Sequence, residues 1–224
     1  LSDFEELKSY QLEPNKNVDF SAEFGKLKTI FEGVSLLGDF SEKIKDEVLA
    51  QGELLSVKLV VSLLENEGIP VKIADARNLI ITDENFGNAQ PIKAISKENT
   101  VQFFKENSKT LNLVTGFIAS NQKNETTTLG RNGSNYTAAL LANYLNADEL
   151  QNYTHVNGIF TANPELVADA KKIEQLSFSE ANELANFGAN ILHAKTIIPL
   201  LEKNINLRIL NTFNKEDKGT LITS

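Results

Sequence analysis

Leu27, Ile30, Phe31 and Val34 recur at spacings of three and four, and this helical period supports a helical reading of residues 1 to 33. Ser41 stands ahead of a longer periodic run from Ile44 to Leu64, which Gly68 closes as a helix stop. "IPVKIADA" (69–76) alternates and is rich in β-branched residues, which predicts a strand. "ENTVQFFKEN" (98–107) predicts a short amphipathic helix, "LNLVTGFIAS" (111–120) a second strand, and "NQKNETTT" (121–128) a turn. A helix over Tyr136–Leu145 follows, then the strand "ELQNYTHV" (149–156). Residues 177–204 read as two helices broken near Gly188, and "INLRILNTF" (205–213) as the last strand. Strands alternating with helices predict an α/β fold with mainly parallel pairing, because parallel crossovers need a covering element. No linker or internal repeat interrupts the pattern, so one domain over 1–224 is expected, with residues 1–66 mainly helical.

Composition narrows the chemistry. The 224 residues are 41% hydrophobic, enough for a substantial core. With 22 basic and 30 acidic residues the net charge is −8, which argues against nucleic acid as a partner. There is no cysteine, hence no disulfide, thiolate zinc site or thiol nucleophile, and no protein-held metal site is read. No apolar run approaches the roughly 18 residues of a membrane span, and no signal peptide is visible, so the expected setting is cytoplasmic and away from membranes. The chain begins at Leu1 and contains no methionine, so it reads as a processed or excised piece.

The chemistry concentrates in "TTTLGRNGSNYTAALLANYL" (126–145), where a polar strand-like run meets an amphipathic helix. Gly130, Arg131, Asn132, Gly133, Ser134 and Asn135 lack both the lysine–hydroxyl pair of a P-loop and the glycine spacing of a dinucleotide site. Backbone N–H groups at a helix start suit phosphate or carboxylate, and the Arg131 fork can grip a carboxylate with two bonds. An ordinary glycine turn capped by Ser134 fits the string as well. "THVNGIFTANP" (154–164) puts Thr154 at a strand end, where parallel sheets bind ligands. Glu53, directly after Gly52, reads either as a site carboxylate or as a charge near a helix N-terminus. "FSEKIKDE" (40–47) reads as an exposed helix face, His193 as a helix-face or interface residue, and His155 as solvated or stacking. Lys171 and Lys172 read either as nucleotide-approaching cations or as a solvated helix start.

Taken in order, "SLLG", "GE", "NFGNA", "GFIAS", "TTTLGRNGSNYTAALLA", "THVNGIFTANP", "ELANFGANILHAKTI" and "NTFNKEDKGTLI" resemble aspartate kinases, including the kinase half of bifunctional aspartokinase–homoserine dehydrogenases. The resemblance implies the amino-acid-kinase fold, a three-layer α/β/α sandwich, and transfer of the γ-phosphoryl of ATP with Mg²⁺ to the side-chain carboxylate of L-aspartate. It implies a homo-oligomer and a place in lysine, threonine and methionine biosynthesis. Glu53, Arg131 and Asn135 fall on catalytic positions, and Glu53, Gly130, Arg131, Gly133 and Ser134 on the substrate side. Thr154, His155, Gly158, Phe160 and Asn190 fall on the nucleotide side, within residues 126–224.

The chain departs from that pattern at several positions. Asn135 and His155 stand for aspartates, Phe160 for a tyrosine, Glu165 for a basic residue and Asn190 for a lysine. The family's opening lysine–phenylalanine–glycine–glycine segment and its ACT domains have no counterpart here, so its first strands read as missing. A second reading, a non-catalytic kinase-fold module for regulation or assembly, rests on these departures. A kinase for glutamate or uridylate is disfavoured by the "GE…GRNGSN…FGANILHAKTI" combination.

Overall fold

The computed structural model describes residues 18–164, 166–186 and 194–224. Two compact units divide the chain, Leu1–Ser134 and Asn135–Ser224.

The first unit opens with helix α1 (Ser21–Leu37), which Gly38 ends at φ 68° by donating its N–H to the Val34 carbonyl. Helix α2 (Glu42–Asn66) begins where Ser41 accepts the Ile44 N–H, and it ends as Gly68 turns left-handed at φ 73°. The apolar stripe of α1 that carries Phe24 and Leu27, with Phe20 just ahead of the helix, packs on Leu55 of α2. Strand β1 (Val71–Ala74) pairs in parallel with β3 (Leu111–Val114), and helix α3 (Lys93–Glu106) lies between them in sequence. Strand β2 (Ile81–Thr82) runs parallel to β4 (Ile118–Asn121), which pairs antiparallel with β5 (Thr126–Thr128).

Two elements differ from expectation. The single strand expected over 111–120 is two strands, because Phe117 takes the left-handed region at φ 67° and breaks the run. The expected turn over 121–128 is shorter, since its threonines form β5.

Helix α4 (Gly133–Leu145) starts three residues before the predicted Tyr136, on Gly133 and Ser134. In the second unit β6 (Glu149–Thr154) runs parallel to β10 (Asn206–Asn211), in register from Glu149 opposite Asn206 to Thr154 opposite Asn211. Strand β11 (Thr220–Thr223) joins β10 antiparallel and β9 (Gln175–Ser177) parallel, giving the order β6-β10-β11-β9. Strands β7 (Ile159–Phe160) and β8 (Lys172–Ile173) form a separate antiparallel pair. Helices α5 (Phe178–Asn186) and α6 (Ala194–Leu201) are the two helices expected in 177–204, and the break near Gly188 lies outside the described residues. Leu207, Ile209, Ile222, Ile197 and Leu200 fill the core of this unit. Four of the seven strand pairings among the described residues are parallel, as the alternation of elements predicts.

Candidate functional site

In the first unit the chemistry gathers at the carboxyl ends of β1 and β3. Thr115, directly after β3, accepts the Ala76 N–H on its hydroxyl at 2.7 Å, and its own N–H reaches the Ala74 carbonyl at 3.1 Å. This fixes Gly116, whose N–H donates to Glu53 Oε1. Glu53 sits in the middle of α2, so a charge at a helix N-terminus is not its role. Burial pushes its carboxyl above the ordinary glutamate range, and the Gly116 N–H offsets part of that rise.

Ser134 also closes on Gly116. A Cβ at Gly116 would lie 2.9 Å from the Ser134 Cβ and 3.0 Å from its hydroxyl, so only glycine allows this approach. Glu53 and Ser134, 81 positions apart in the chain, thus meet at one glycine.

The turn before Ser134 is built to hold Arg131 outward. Gly130 is left-handed at φ 75° and Asn132 at φ 58°, and the Gly133 N–H bonds the Gly130 carbonyl at 3.0 Å. That bond occupies one of the N–H groups the sequence offered to a ligand. A Cβ at Gly130 would meet Asn88 Oδ1 at 2.7 Å, and one at Gly133 would meet the Phe117 ring at 2.7 Å. Arg131 is exposed and lines an open cleft of about 490 Å³ with Phe117, Asn88, Phe86, Lys45 and Glu42.

In the second unit Thr154 ends β6 beside Asn211 at the end of β10. Its hydroxyl accepts the Val156 N–H at 3.1 Å, and its carbonyl accepts the Thr212 N–H at 2.8 Å. Asn157 Oδ1 accepts the side-chain amides of Asn211 and Asn214, which ties together the loops that follow the two parallel strands. Gly158 is left-handed at φ 119°, and a Cβ there would lie 2.5 Å from the Thr220 hydroxyl. His155 is exposed at this end and Phe160 is half-buried in β7. Asn135 lies in the first turns of α4, beside a 30 Å³ cavity.

Lys172 departs from the helix-start reading offered for it. It pairs with Phe160 across β7 and β8, and its ammonium lies 2.6 Å from Asp217 Oδ1, so it starts no helix. That pairing holds the Asp217 carboxyl below its usual range, helped by the Gly219 N–H. Lys195, which the motifs did not single out, stands 5.8 Å from the Tyr136 ring centroid, and burial lowers its pKa. Asn190, Glu165 and His193 lie outside the described residues.

The run "FSEKIKDE" is only partly the exposed face it was expected to be. Lys45 and Glu42 are exposed and paired at 3.2 Å, but Asp46 is fully buried. It accepts the N–H of Gly87 and both the N–H and the hydroxyl of Thr128. Asp46 stands seven residues, two helical turns, before Glu53 on the same face, a spacing that by itself does not tell a buried side from an exposed one.

Residues 5–211 match the amino acid kinase family. The chain belongs to that family. Within it the chain is 35% identical over 203 residues to the lysine-sensitive aspartokinase 3 of Escherichia coli, covering 88% of this chain and 45% of that protein. It is 36% identical over 212 residues to the bifunctional aspartokinase/homoserine dehydrogenase of Buchnera aphidicola, covering 93% of this chain and 26% of that one. The crystal structure of E. coli aspartokinase III in complex with aspartate and ADP, in its R-state, aligns with a TM-score of 0.92 at 33% identity. That alignment covers all of this chain and 52% of the other. Clostridium acetobutylicum aspartate kinase aligns with a TM-score of 0.81 at 27% identity, over 100% of this chain and 48% of that one. The chain therefore spans about half the length of these kinases, and about a quarter of the bifunctional protein. Its fold is the aspartokinase-like α/β fold of this family, with mixed sheets of mainly parallel pairing. Among the described residues no helix is long and apolar enough to cross a membrane.

Proposed function

We propose that the protein carrying this chain is an aspartate kinase, transferring the γ-phosphoryl of ATP to the side-chain carboxylate of L-aspartate. The observation that carries this reading is the convergence of Glu53 and Ser134 on Gly116, at the head of the Arg131 turn. An amino acid offers an ammonium and a carboxylate. Glu53 supplies a partner for the first, and the Arg131 fork a bidentate partner for the second. Held in this way, the free side-chain carboxylate of aspartate is the nucleophile. One of its oxygens forms a bond to the γ-phosphorus, the bond to the bridging oxygen of ATP breaks, and ADP leaves with that electron pair. Such transfer rests on positioning and charge neutralisation rather than on a protein nucleophile, and the chain has no cysteine to offer one.

Thr154, Gly158 and Phe160 in the second unit, with the loops tied by Asn157, take the nucleotide in this reading. Among the described residues no cluster of three His, Cys, Asp or Glu side chains stands ready for a metal. Magnesium enters in this reading as part of the nucleotide co-substrate. Asn135 is assigned to the transfer step, where it donates a hydrogen bond without adding negative charge. A homo-oligomer in the cytoplasm completes the reading. No contact among the described residues favours a non-catalytic module.

A coupled assay of ADP release on the full-length protein tests this. Aspartate-dependent turnover with MgATP is the expected result. A folded protein that releases no ADP in response to aspartate overturns the proposal.

A further inference from the structure

Asp46 is a carboxylate with no access to water, and the phosphoryl-transfer chemistry does not use it. A charge in a dry interior is costly unless every lone pair is engaged. Its partners come from two segments remote in sequence. Oδ2 accepts the Gly87 N–H at 2.8 Å and the Thr128 N–H at 3.0 Å, and Oδ1 accepts the Thr128 hydroxyl at 2.7 Å.

Both segments lead to the Arg131 turn. Thr128 is the last residue of β5, two positions before Gly130. Gly87 presents its carbonyl 3.2 Å from where a Gly130 Cβ would stand, and the next side chain, Asn88, closes on the same point at 2.7 Å. On the other side, Asp46 belongs to the helix that carries Glu53, about 10 Å further along the axis. Two turns of helix transmit a displacement almost rigidly. One buried carboxylate therefore connects the residue proposed for the ammonium with the turn proposed for the carboxylate.

We propose that Asp46 is a positioning residue for amino-acid binding. It touches no substrate, and it fixes the separation between the Glu53 helix and the Gly130–Arg131 turn that a small amino acid must bridge. The inference rests on the acid-binding reading of the first unit.

The test is titration calorimetry with L-aspartate and, separately, with ADP on the full-length protein and three variants. Asp46→Ala removes all three bonds. Asp46→Asn keeps an oxygen for the two N–H groups and turns its amide to the Thr128 hydroxyl. Thr128→Val removes only the hydroxyl bond. Asp46→Ala is expected to raise the aspartate Kd about tenfold or more, the scale of loss when binding groups are slightly misplaced. Asp46→Asn recovers most of that loss, and ADP affinity stays unchanged throughout. Where Asp46→Ala does not fold, Thr128→Val shows the same selective loss in smaller measure. Aspartate affinity equal to wild type in every folded variant overturns the inference. So does a parallel fall of aspartate affinity, ADP affinity and Tm, which is the mark of a merely structural strut. A wild type that binds no aspartate refutes the proposed function itself, and this inference with it.

Discussion

At the residue scale, Glu53 carries a signature that an exposed glutamate lacks. Burial raises its pKa and the Gly116 N–H only partly restores it, so the charged form is penalised in the fold. Above the raised folded pKa the ionised carboxylate costs stability. As pH falls through that pKa the folded state takes up a proton before the unfolded state does, and the cost is relieved. Glu53→Gln keeps an oxygen for Gly116 and removes the titration. At neutral pH it should therefore unfold at a higher temperature than wild type, and the gap should close as pH is lowered towards the ordinary glutamate value. Thermal scans across that range check this, and a gap independent of pH refutes it. In the same range wild-type aspartate affinity should fall at a higher pH than an ordinary glutamate would dictate. Arg131 could be picked out as a candidate in the sequence because Gly130 and Gly133 bracket its turn, whereas Glu53 was one of two readings, since Gly52 beside it lies inside a helix with open space around it. Asp46 could not be picked out, because its donors lie 41 and 82 positions away and charge spacing on a helix does not say which side is covered.

At the element scale, one hydroxyl holds the turn proposed for the nucleotide. Thr220, fully buried at the start of β11, accepts the Ile159 N–H at 2.8 Å and donates to the Ile173 carbonyl at 2.5 Å, so it bridges β7 and β8 to the main sheet. Thr220→Val preserves the shape and takes the hydroxyl partner from the buried Ile159 N–H and the part-buried Ile173 carbonyl, which should cost about 1–3 kcal/mol. Urea unfolding measures it, with Thr220→Ser expected near wild type; a valine variant as stable as wild type would show that the hydroxyl anchors nothing. The long elements were readable from periodicity, as α2 and β10 show. The short ones were not. Strands β7 and β8 have two residues each, too few to display a period, and β4 separates from β3 only because Phe117 adopts a conformation that its side chain disfavours.

At the scale of the whole molecule, the net charge of −8 repels polyanions, while Arg131 places a cation locally where the amino-acid carboxylate is proposed to bind. The protein should pass a double-stranded DNA column unretained at physiological salt; retention abolished by added salt would contradict that. A different whole-chain property resides in "TTT". Thr126 bonds Glu47 and Thr128 bonds Asp46, while Thr127, on the opposite face, shares a 2.8 Å hydroxyl contact with Thr82. Three identical letters carry no address of their own. Slid one place one way, β5 would put Leu129 where Thr128 stands and Asp46 would lose its hydroxyl in a waterless interior; slid the other way, it would put Glu125 where Thr126 stands, against Glu47. The strand therefore has one tolerable alignment, dictated by two distant helical acids, and a slipped copy of this fold would be rejected by electrostatics before any loss of shape was felt.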